Sequence, residues 1–263
     1  MAKRYKEKTK KTLKQKLINI IYVIILLTFV LMFIISVVNI IKWYLGNKEN
    51  QKIQKEISQS ITVKEDEENI QDKYIVNFED LKQKNPDTVG WLKVNGTEVE
   101  YTVVQSSNND YYLTHNFEKK YNKSGWIFAD YKNKLDGTDK NLVIYGHNIR
   151  DDSMFGTLKN VIKEEWYNNP ENYKIILITE NAKTIYEVFS VYQIENEDYY
   201  IQTNFTNETE FEKFINTVKS RSVKEFKIEL TGKDNILTLS TCANNNKYRV
   251  VLHAKKISNE EEI

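Results

Sequence analysis

Cysteine is almost absent from this sequence of 263 residues, since Cys242 is the only one. A single cysteine excludes any disulfide within the chain, although domains that are exported from the cell usually pair their thiols. Two interpretations of Cys242 remain open at this point. It is either a buried, unreactive thiol that packs as a small hydrophobic residue, or a reactive nucleophile.

Histidine is also scarce, with three widely separated residues, His115, His147 and His253. Zinc sites are typically built from cysteine and histidine ligands at close spacings, and the sequence contains no such set. The acidic run at residues 65–68 lacks the alternating oxygen ligands and the glycine of a calcium-binding loop. We therefore predict no metal site and no cofactor.

Positive charge is in excess only at the start of the chain. The formal net charge is +1, and the first sixteen residues contain eight basic residues and one acid, Glu7. The basic residues are Lys3, Arg4, Lys6, Lys8, Lys10, Lys11, Lys14 and Lys16. The remainder is mildly acidic and has no basic stripe with interleaved aromatic residues, which excludes a nucleic-acid-binding surface.

Charged residues are missing altogether from residues 17–41, which are mainly Ile, Leu, Val and Phe. As a helix, these 25 residues would reach roughly 37 Å, enough to cross a lipid bilayer with some tilt. A cleavable signal peptide would have a shorter apolar region and a small-residue cleavage site, whereas Lys42, Trp43 and Tyr44 follow here. We expect an uncleaved single-pass anchor, with the basic tail in the cytoplasm and the rest outside the cell.

The composition predicts five regions. Residues 1–16 form the cytoplasmic tail, 17–41 the transmembrane anchor, 42–72 a juxtamembrane stalk, 73–257 the folded domain and 258–263 a C-terminal tail. The stalk is polar, with Ile53, Ile57 and Ile61 at a four-residue spacing, so it is either a solvated spacer or a short packing helix.

Short runs rich in β-branched and aromatic residues dominate the chain from about residue 73 onward. Their close spacing predicts a mainly β fold, an antiparallel barrel or sandwich. The predicted strands are Val89–Val94, Glu98–Gln105, Trp126–Tyr131, Asn141–Tyr145, Tyr173–Thr179, Thr184–Tyr192, Phe226–Leu230, Asn235–Thr241 and Tyr248–Lys255. Helical periodicity predicts two surface helices, Asp152–Trp166 and Asn207–Ser220, the second with a capping box formed by Asn207 and Glu210.

Three residues with reactive or charged side chains lie at predicted strand ends. His147 follows the strand Asn141–Tyr145, Cys242 follows Asn235–Thr241, and Arg249 begins the last strand after a short polar loop. Strand ends are common places for catalytic groups, and an arginine can stabilise a developing oxyanion. Taken singly, His147 fits a structural histidine better than a catalytic one, and Arg249 fits a surface charge on an edge strand better.

Two segments resemble the catalytic motifs of the sortases. They are residues 141–148, Asn-Leu-Val-Ile-Tyr-Gly-His-Asn, and residues 237–242, Leu-Thr-Leu-Ser-Thr-Cys, followed by Arg249. The Thr-Leu-Ser-Thr-Cys form is similar to class B. Further matches in order and spacing extend the resemblance over about residues 75–257, and they are residues 85–92, 101–105, 111–113 and 125–130.

The resemblance implies an eight-stranded sortase-type β-barrel with peripheral helices, preceded by the transmembrane helix. It also implies a cysteine transpeptidase in which Cys242 is the nucleophile, His147 the acid/base and Arg249 the oxyanion stabiliser. Positions that line the peptide groove in class B enzymes correspond here to Asn109, Leu113, Tyr145, Tyr200, Ile201 and Ser240.

The implied substrates are secreted proteins with a C-terminal sorting signal, which is cleaved after threonine through a thioester. The implied acceptor is an amine of peptidoglycan or its precursor. Two other functions remain open from the residues alone. One is another exported Cys–His enzyme, such as a peptidase or an L,D-transpeptidase, and the other is an anchored binding module in which Cys242 is inert.

Overall fold

The computed structural model describes residues 12–64, 73–195, 197–243 and 247–260. Some of the predictions lie outside these ranges. They concern residues 1–11 of the basic tail, the acidic run at residues 65–68, most of the loop after Cys242 and residues 261–263. The chain divides into two compact units, residues 1–45 and 46–263.

The first unit is helical from Leu13 onward. Helix α1 spans Leu13–Ser58, and its first part contains the whole uncharged run of residues 17–41. The apolar side chains there are mostly exposed. By its length and composition this helix is a candidate membrane span, as the sequence predicts.

The second unit begins with the last turns of α1. Ile53 and Ile57 are buried there, at 5% and 1% exposure, so this part of the predicted stalk is a packing helix. Strand β1 (Ile61–Lys64) follows and pairs antiparallel with β2 (Lys73–Val76), which is a small sheet that the sequence analysis did not predict.

Eight strands close into a barrel, which confirms the predicted fold. The strands in chain order are β3 (Thr88–Val94), β4 (Glu100–Val104), β5 (Phe128–Ala129), β6 (Asn141–Gly146), β7 (Lys174–Ile178), β8 (Lys183–Glu195), β9 (Ile236–Ala243) and β10 (Tyr248–Glu260). Around the barrel they follow the order β10-β8-β7-β3-β4-β5-β6-β9. The expected antiparallel pairing holds for the neighbouring barrel strands except β4–β5 and β6–β9, which are parallel pairs.

Buried apolar residues form two clusters. The larger one contains Trp91 and Trp126, both fully buried, and is built from the strands and the helices packed on them. The smaller one lies beneath α4 (Glu208–Ser220) and contains Phe211 and Phe214 of that helix. Helix α4 confirms the second predicted helix, and the Asn207 side chain accepts a hydrogen bond from the Glu210 amide as its N-cap. A short helix, α2 (Phe78–Lys84), was not predicted.

Two of the predicted strands differ from the structure. Trp126–Tyr131 contributes only Phe128–Ala129 to the barrel. Phe226–Leu230 forms no strand, because the Ile228 amide bonds back to the Phe226 carbonyl instead of to a neighbouring strand. The apolar character of this segment reflects the burial of Phe226.

The predicted helix Asp152–Trp166 is also different. A 3₁₀ segment, Gly156–Ile162, is followed by a single α turn, α3 (Glu164–Tyr167). Asp152 and Met154 have φ angles of 64° and 54°, which an α-helix does not allow. The helical spacing correctly identified residues that become buried, among them Phe155 and Leu158, but not their backbone geometry.

Candidate active site

The predicted catalytic residues meet at one end of the barrel through strand register. In the parallel pair β6–β9, Tyr145 lies beside Ser240 and Gly146 beside Thr241. His147 and Cys242 are the next residues on these two chain segments. In the antiparallel pair β9–β10, Arg249 lies directly opposite Cys242. The backbones of all three predicted catalytic residues therefore converge.

The imidazole of His147 is oriented by a main-chain carbonyl. Its Nε2 atom lies 2.8 Å from the carbonyl oxygen of Leu113, which can only accept a hydrogen bond. Nε2 therefore carries a proton, and in the neutral ring Nδ1 is the basic nitrogen. The carbonyl of His147 accepts a hydrogen bond from the Phe155 amide at 3.0 Å, which closes the loop that follows the strand.

Gly146 is required immediately before His147. A Cβ atom at this position would lie 2.7 Å from the Phe155 ring and even closer to Ile127. Both neighbours are fully buried, so they have little room to move. A glycine here lets strand β6 pass close to the core just before it delivers His147.

A cleft of about 440 Å³ opens at this end of the barrel. It contains all six residues predicted for the peptide groove, together with His147 and Arg249. The residues that line it are Asn109, Asp110, Leu113, Phe128, Tyr145, Gly146, His147, Glu197, Asp198, Tyr200, Ile201, Ser240 and Arg249. The backbone of Cys242 lies two residues beyond Ser240 on β9.

A buried carboxylate supports one wall of the cleft. Asp130 is 2% exposed, and its Oδ2 atom accepts hydrogen bonds from the Tyr145 hydroxyl and from Asn109 Nδ2, each at 2.8 Å. Burial of the phenol, and then the charge of Asp130, raise the pKa of Tyr145 well above its usual value. Tyr145 is therefore a neutral hydroxyl at physiological pH.

Another wall of the cleft contains Tyr200 and Ile201 in the 3₁₀ turn Tyr199–Ile201. The Tyr200 hydroxyl lies 2.9 Å from Ser240 Oγ, which joins the turn to β9. Tyr200 is 2% exposed and Leu113 is 37% exposed. Leu113 is thus a surface residue of the cleft rather than a core residue. Tyr200 lines the cleft and is also part of the buried core.

Behind this wall lies a buried chain of polar groups centred on His253. Its Nε2 accepts from the Tyr192 hydroxyl (2.9 Å), and its Nδ1 donates to Thr238 Oγ1 (2.8 Å), which in turn donates to Asn141 Oδ1 (2.6 Å). Asn141 Nδ2 donates to the carbonyl of Tyr200. Burial lowers the pKa of His253 to about 3, so the ring is neutral and structural.

Sequence reasoning missed several residues of the cleft. Phe128, Gly146, Asp110, Glu197 and Asp198 line it, and Asp130 supports it from behind. Asp130 and Phe128 fall within a motif that resembles the family, yet nothing in the sequence reveals the long-range bonds of Asp130. Among the residues that the structure describes, no group of three or more His, Cys, Asp and Glu could hold a metal ion.

Comparison with known proteins places this geometry in a family. Residues 92–257 match the model of the sortase domain. Sortase B of Listeria monocytogenes is 36% identical over 226 residues, which cover 82% of this chain and 90% of that protein.

Solved structures of sortase B also resemble this chain. The X-ray structure of Clostridium perfringens sortase B superposes with a TM-score of 0.65 at 40% identity, covering 69% of this chain and all of that one. The structure of a Staphylococcus aureus sortase B–substrate complex superposes with a TM-score of 0.64 at 35% identity, covering 69% of this chain and 84% of the other.

Proposed function

Because this chain belongs to the sortase family, and to its class B, we propose that it cleaves a C-terminal sorting signal after threonine and transfers the protein to a cell-wall amine. In this proposal Cys242 is the nucleophile, His147 the acid/base and Arg249 the oxyanion stabiliser. The enzyme is a cysteine transpeptidase, and a binding module with an inert cysteine does not fit the family.

The strand register at the end of the barrel is the observation that carries the proposal. Arg249 lies opposite Cys242, and the parallel pairing of β6 with β9 ends where His147 and Cys242 follow. Register is fixed by the whole set of ladder hydrogen bonds, so these positions are held by the rigid scaffold. The predicted peptide groove adjoins the same point.

Acylation requires one proton transfer in each direction. His147 Nδ1 takes the proton of the Cys242 thiol, and the thiolate attacks the carbonyl carbon of the threonine. The resulting oxyanion is stabilised by the Arg249 guanidinium, which stays protonated at physiological pH. The imidazolium then protonates the departing amine nitrogen, the peptide bond breaks, and a thioester on Cys242 remains.

Deacylation reverses these roles. An amine attacks the thioester carbonyl, His147 accepts the proton that this amine loses, and the thiol leaves with a proton from the imidazolium. The products are a new amide and the free enzyme. The hydrogen bond from His147 Nε2 to the Leu113 carbonyl would keep Nδ1 as the nitrogen that takes up and releases the proton in both steps.

We further propose that α1 anchors the enzyme with its amino terminus in the cytoplasm and the barrel outside. The support is the basic cluster at residues 3–16 before the uncharged run, since basic residues favour the cytoplasmic side. Protease added to intact cells should degrade the barrel and spare an amino-terminal tag. The opposite pattern would rule out this orientation.

The decisive experiment is intact-mass detection of the acyl enzyme. Full-length protein in detergent is incubated with a library of peptides that each contain one threonine, and Cys242→Ala serves as the control. We expect an added mass equal to the peptide fragment that ends at threonine, sensitive to hydroxylamine, in the wild type alone. An adduct on Cys242→Ala, or none on the wild type with any peptide, would overturn the proposal.

Product analysis separates transfer from hydrolysis. With triglycine as a probe amine, a transpeptidase yields the new amide in proportion to the amine concentration. If hydrolysis is the only product at every amine concentration, a peptidase is the better description of this enzyme.

A further inference from the structure

The buried acid Asp130 is held firmly by its own main chain. Its amide donates to the Val143 carbonyl at 2.9 Å, and its carbonyl accepts from Gln105 Nε2 at 2.8 Å. The carboxylate is 2% exposed and accepts three hydrogen bonds from neutral donors. These donors are the Lys132 amide to Oδ1, and Tyr145 Oη and Asn109 Nδ2 to Oδ2.

An ionised carboxylate can only accept hydrogen bonds, and this fixes the direction of both cleft contacts. The Tyr145 proton points to Asp130, so the phenolic oxygen offers only lone pairs to any other partner. One N–H of Asn109 Nδ2 points to Asp130 as well. The Asn109 oxygen accepts from the Tyr131 amide at 3.0 Å, so the carboxamide cannot flip without losing both bonds.

Burial of an ionised group is costly, so its retention calls for a physical reason. A neutral carboxamide at position 130 would carry both a donor and an acceptor, and its orientation would then decide which way Tyr145 and Asn109 point. With a carboxylate, both Tyr145 and Asn109 must donate to position 130. Tyr145 and Asn109 belong to different chain segments, and both lie within 2.8 Å of one oxygen atom.

We propose that Asp130 is a positioning residue that fixes the hydrogen-bonding polarity of the peptide cleft. It presents the Tyr145 oxygen as an acceptor and the second N–H of Asn109 as a donor to the bound peptide. The inference rests on the proposed function, because it takes the cleft beside His147 and Arg249 as the peptide site. Asp130 itself touches neither the peptide nor the reacting atoms.

The test compares two variants of nearly the same shape. Asp130→Asn keeps an acceptor that can face Tyr145 and Asn109, whereas Asp130→Leu removes it. Full-length enzyme in detergent is assayed with the peptide from the threonine library that acylates the wild type fastest. We expect KM to rise about tenfold in Asp130→Leu and by a smaller factor, about threefold, in Asp130→Asn, because the carboxamide keeps one acceptor but can also turn its N–H toward Tyr145 and Asn109. The kcat per active site, counted by acyl-enzyme mass, should change much less.

A control and a double variant exclude a merely structural role. Asp139 also accepts from loop amides, those of Lys134 and Leu135, but lies outside the cleft, so Asp139→Leu should leave KM unchanged. Tyr145→Phe should raise KM in the wild type and have little further effect in Asp130→Leu, since Tyr145 is no longer oriented there. Asp130→Ala replaces Asp130→Leu if the latter does not fold.

Two different failures can be told apart. If the wild type forms the acyl enzyme and Asp130→Leu has the wild-type KM with fewer active sites, Asp130 is only a structural residue and the inference is overturned. Fully additive effects of Tyr145→Phe and Asp130→Leu would also overturn it. If the wild type forms no acyl enzyme at all, the proposed function fails, and this inference fails with it.

Discussion

The hydroxyl of Tyr200 and the hydroxyl of Ser240, which both line the cleft, lie 2.9 Å apart. Tyr200 belongs to the 3₁₀ turn Tyr199–Ile201, and Ser240 precedes Cys242 by two residues on β9. The position of this turn is thus linked directly to the strand that carries Cys242.

Removal of either hydroxyl should weaken peptide binding. Tyr200→Phe leaves Ser240 Oγ without this partner, and Ser240→Ala does the same to Tyr200, so we expect KM to rise severalfold in each case. Because the two variants remove one interaction, the double variant should be little worse than either single one. Steady-state kinetics on all four enzymes checks this, and additive effects would contradict a shared bond.

Arg249→Ala should slow acylation by about 10²–10³-fold, which corresponds to roughly 2.7–4 kcal/mol of transition-state stabilisation. Arg249→Lys should recover part of the rate, since lysine retains the charge but not the planar donor geometry. Single-turnover acylation measures the step directly. Lys256→Ala, farther along β10, is the control and should have the wild-type rate. An Arg249→Ala rate within twofold of the wild type would exclude the oxyanion role.

Stability should fall in mild acid because of His253. The folded state holds its pKa at about 3, whereas an unfolded histidine titrates near 6.5, so the unfolded state binds more protons between these values. The stabilisation of the folded state by the neutral His253 ring is complete above pH 6.5, and it is lost progressively as the pH falls toward 3. The slope of the free energy of unfolding from this one group is at most roughly 1.4 kcal/mol per pH unit.

Denaturant unfolding between pH 4 and 8 would measure this slope. His253→Gln should be less stable at pH 8, because it disturbs the chain from Tyr192 to Thr238, but its stability should depend less steeply on pH. His115→Gln should keep the wild-type slope. Equal slopes in the wild type and in His253→Gln would show that His253 does not cause the acid sensitivity.

The end of α1 should contribute to the stability of the barrel. Asn50 is 2% exposed, donates to the Gly125 carbonyl (3.2 Å) and accepts from Asn122 Nδ2 (2.9 Å). Asn50→Leu would remove the donor to the Gly125 carbonyl and the acceptor of one Asn122 N–H, so we expect a loss of about 1–3 kcal/mol in the free energy of unfolding. Lys52→Ala, exposed on the same helix, should change it by less than about 0.5 kcal/mol.

The sequence predicted those parts of the fold that depend on local pattern. The apolar run before Gly146 and His147 indicated β6, and Asn207 with Glu210 indicated the start of α4, because alternation and capping are visible within a few residues. The residues of the cleft came from the resemblance of motifs. Register then placed Arg249 opposite Cys242, as the short connecting loop suggested.

Long-range contacts account for what the sequence did not predict. The Phe226 segment has strand-like composition, but the Lys219 and Lys255 ammonium groups bind its carbonyls, and its amides do not form a ladder. The left-handed residues Asp152 and Met154 replace a helix by a 3₁₀ segment. The role of Asp130 depends on Asn109 and Tyr145, which are 21 and 15 residues away along the chain.

Closure of the barrel limits how a peptide can be held. Every barrel strand that the structure describes has a neighbour on both sides in the closed order, so the barrel itself has no terminal strand to which an incoming extended chain could add a further strand. Affinity must then come from side chains and turns around the cleft. Under the proposed function, a change of sorting signal therefore requires exchange of cleft side chains, on the turns at residues 109–113 and Tyr199–Ile201 and at Tyr145 and Ser240, while the pairing of the strands is left intact.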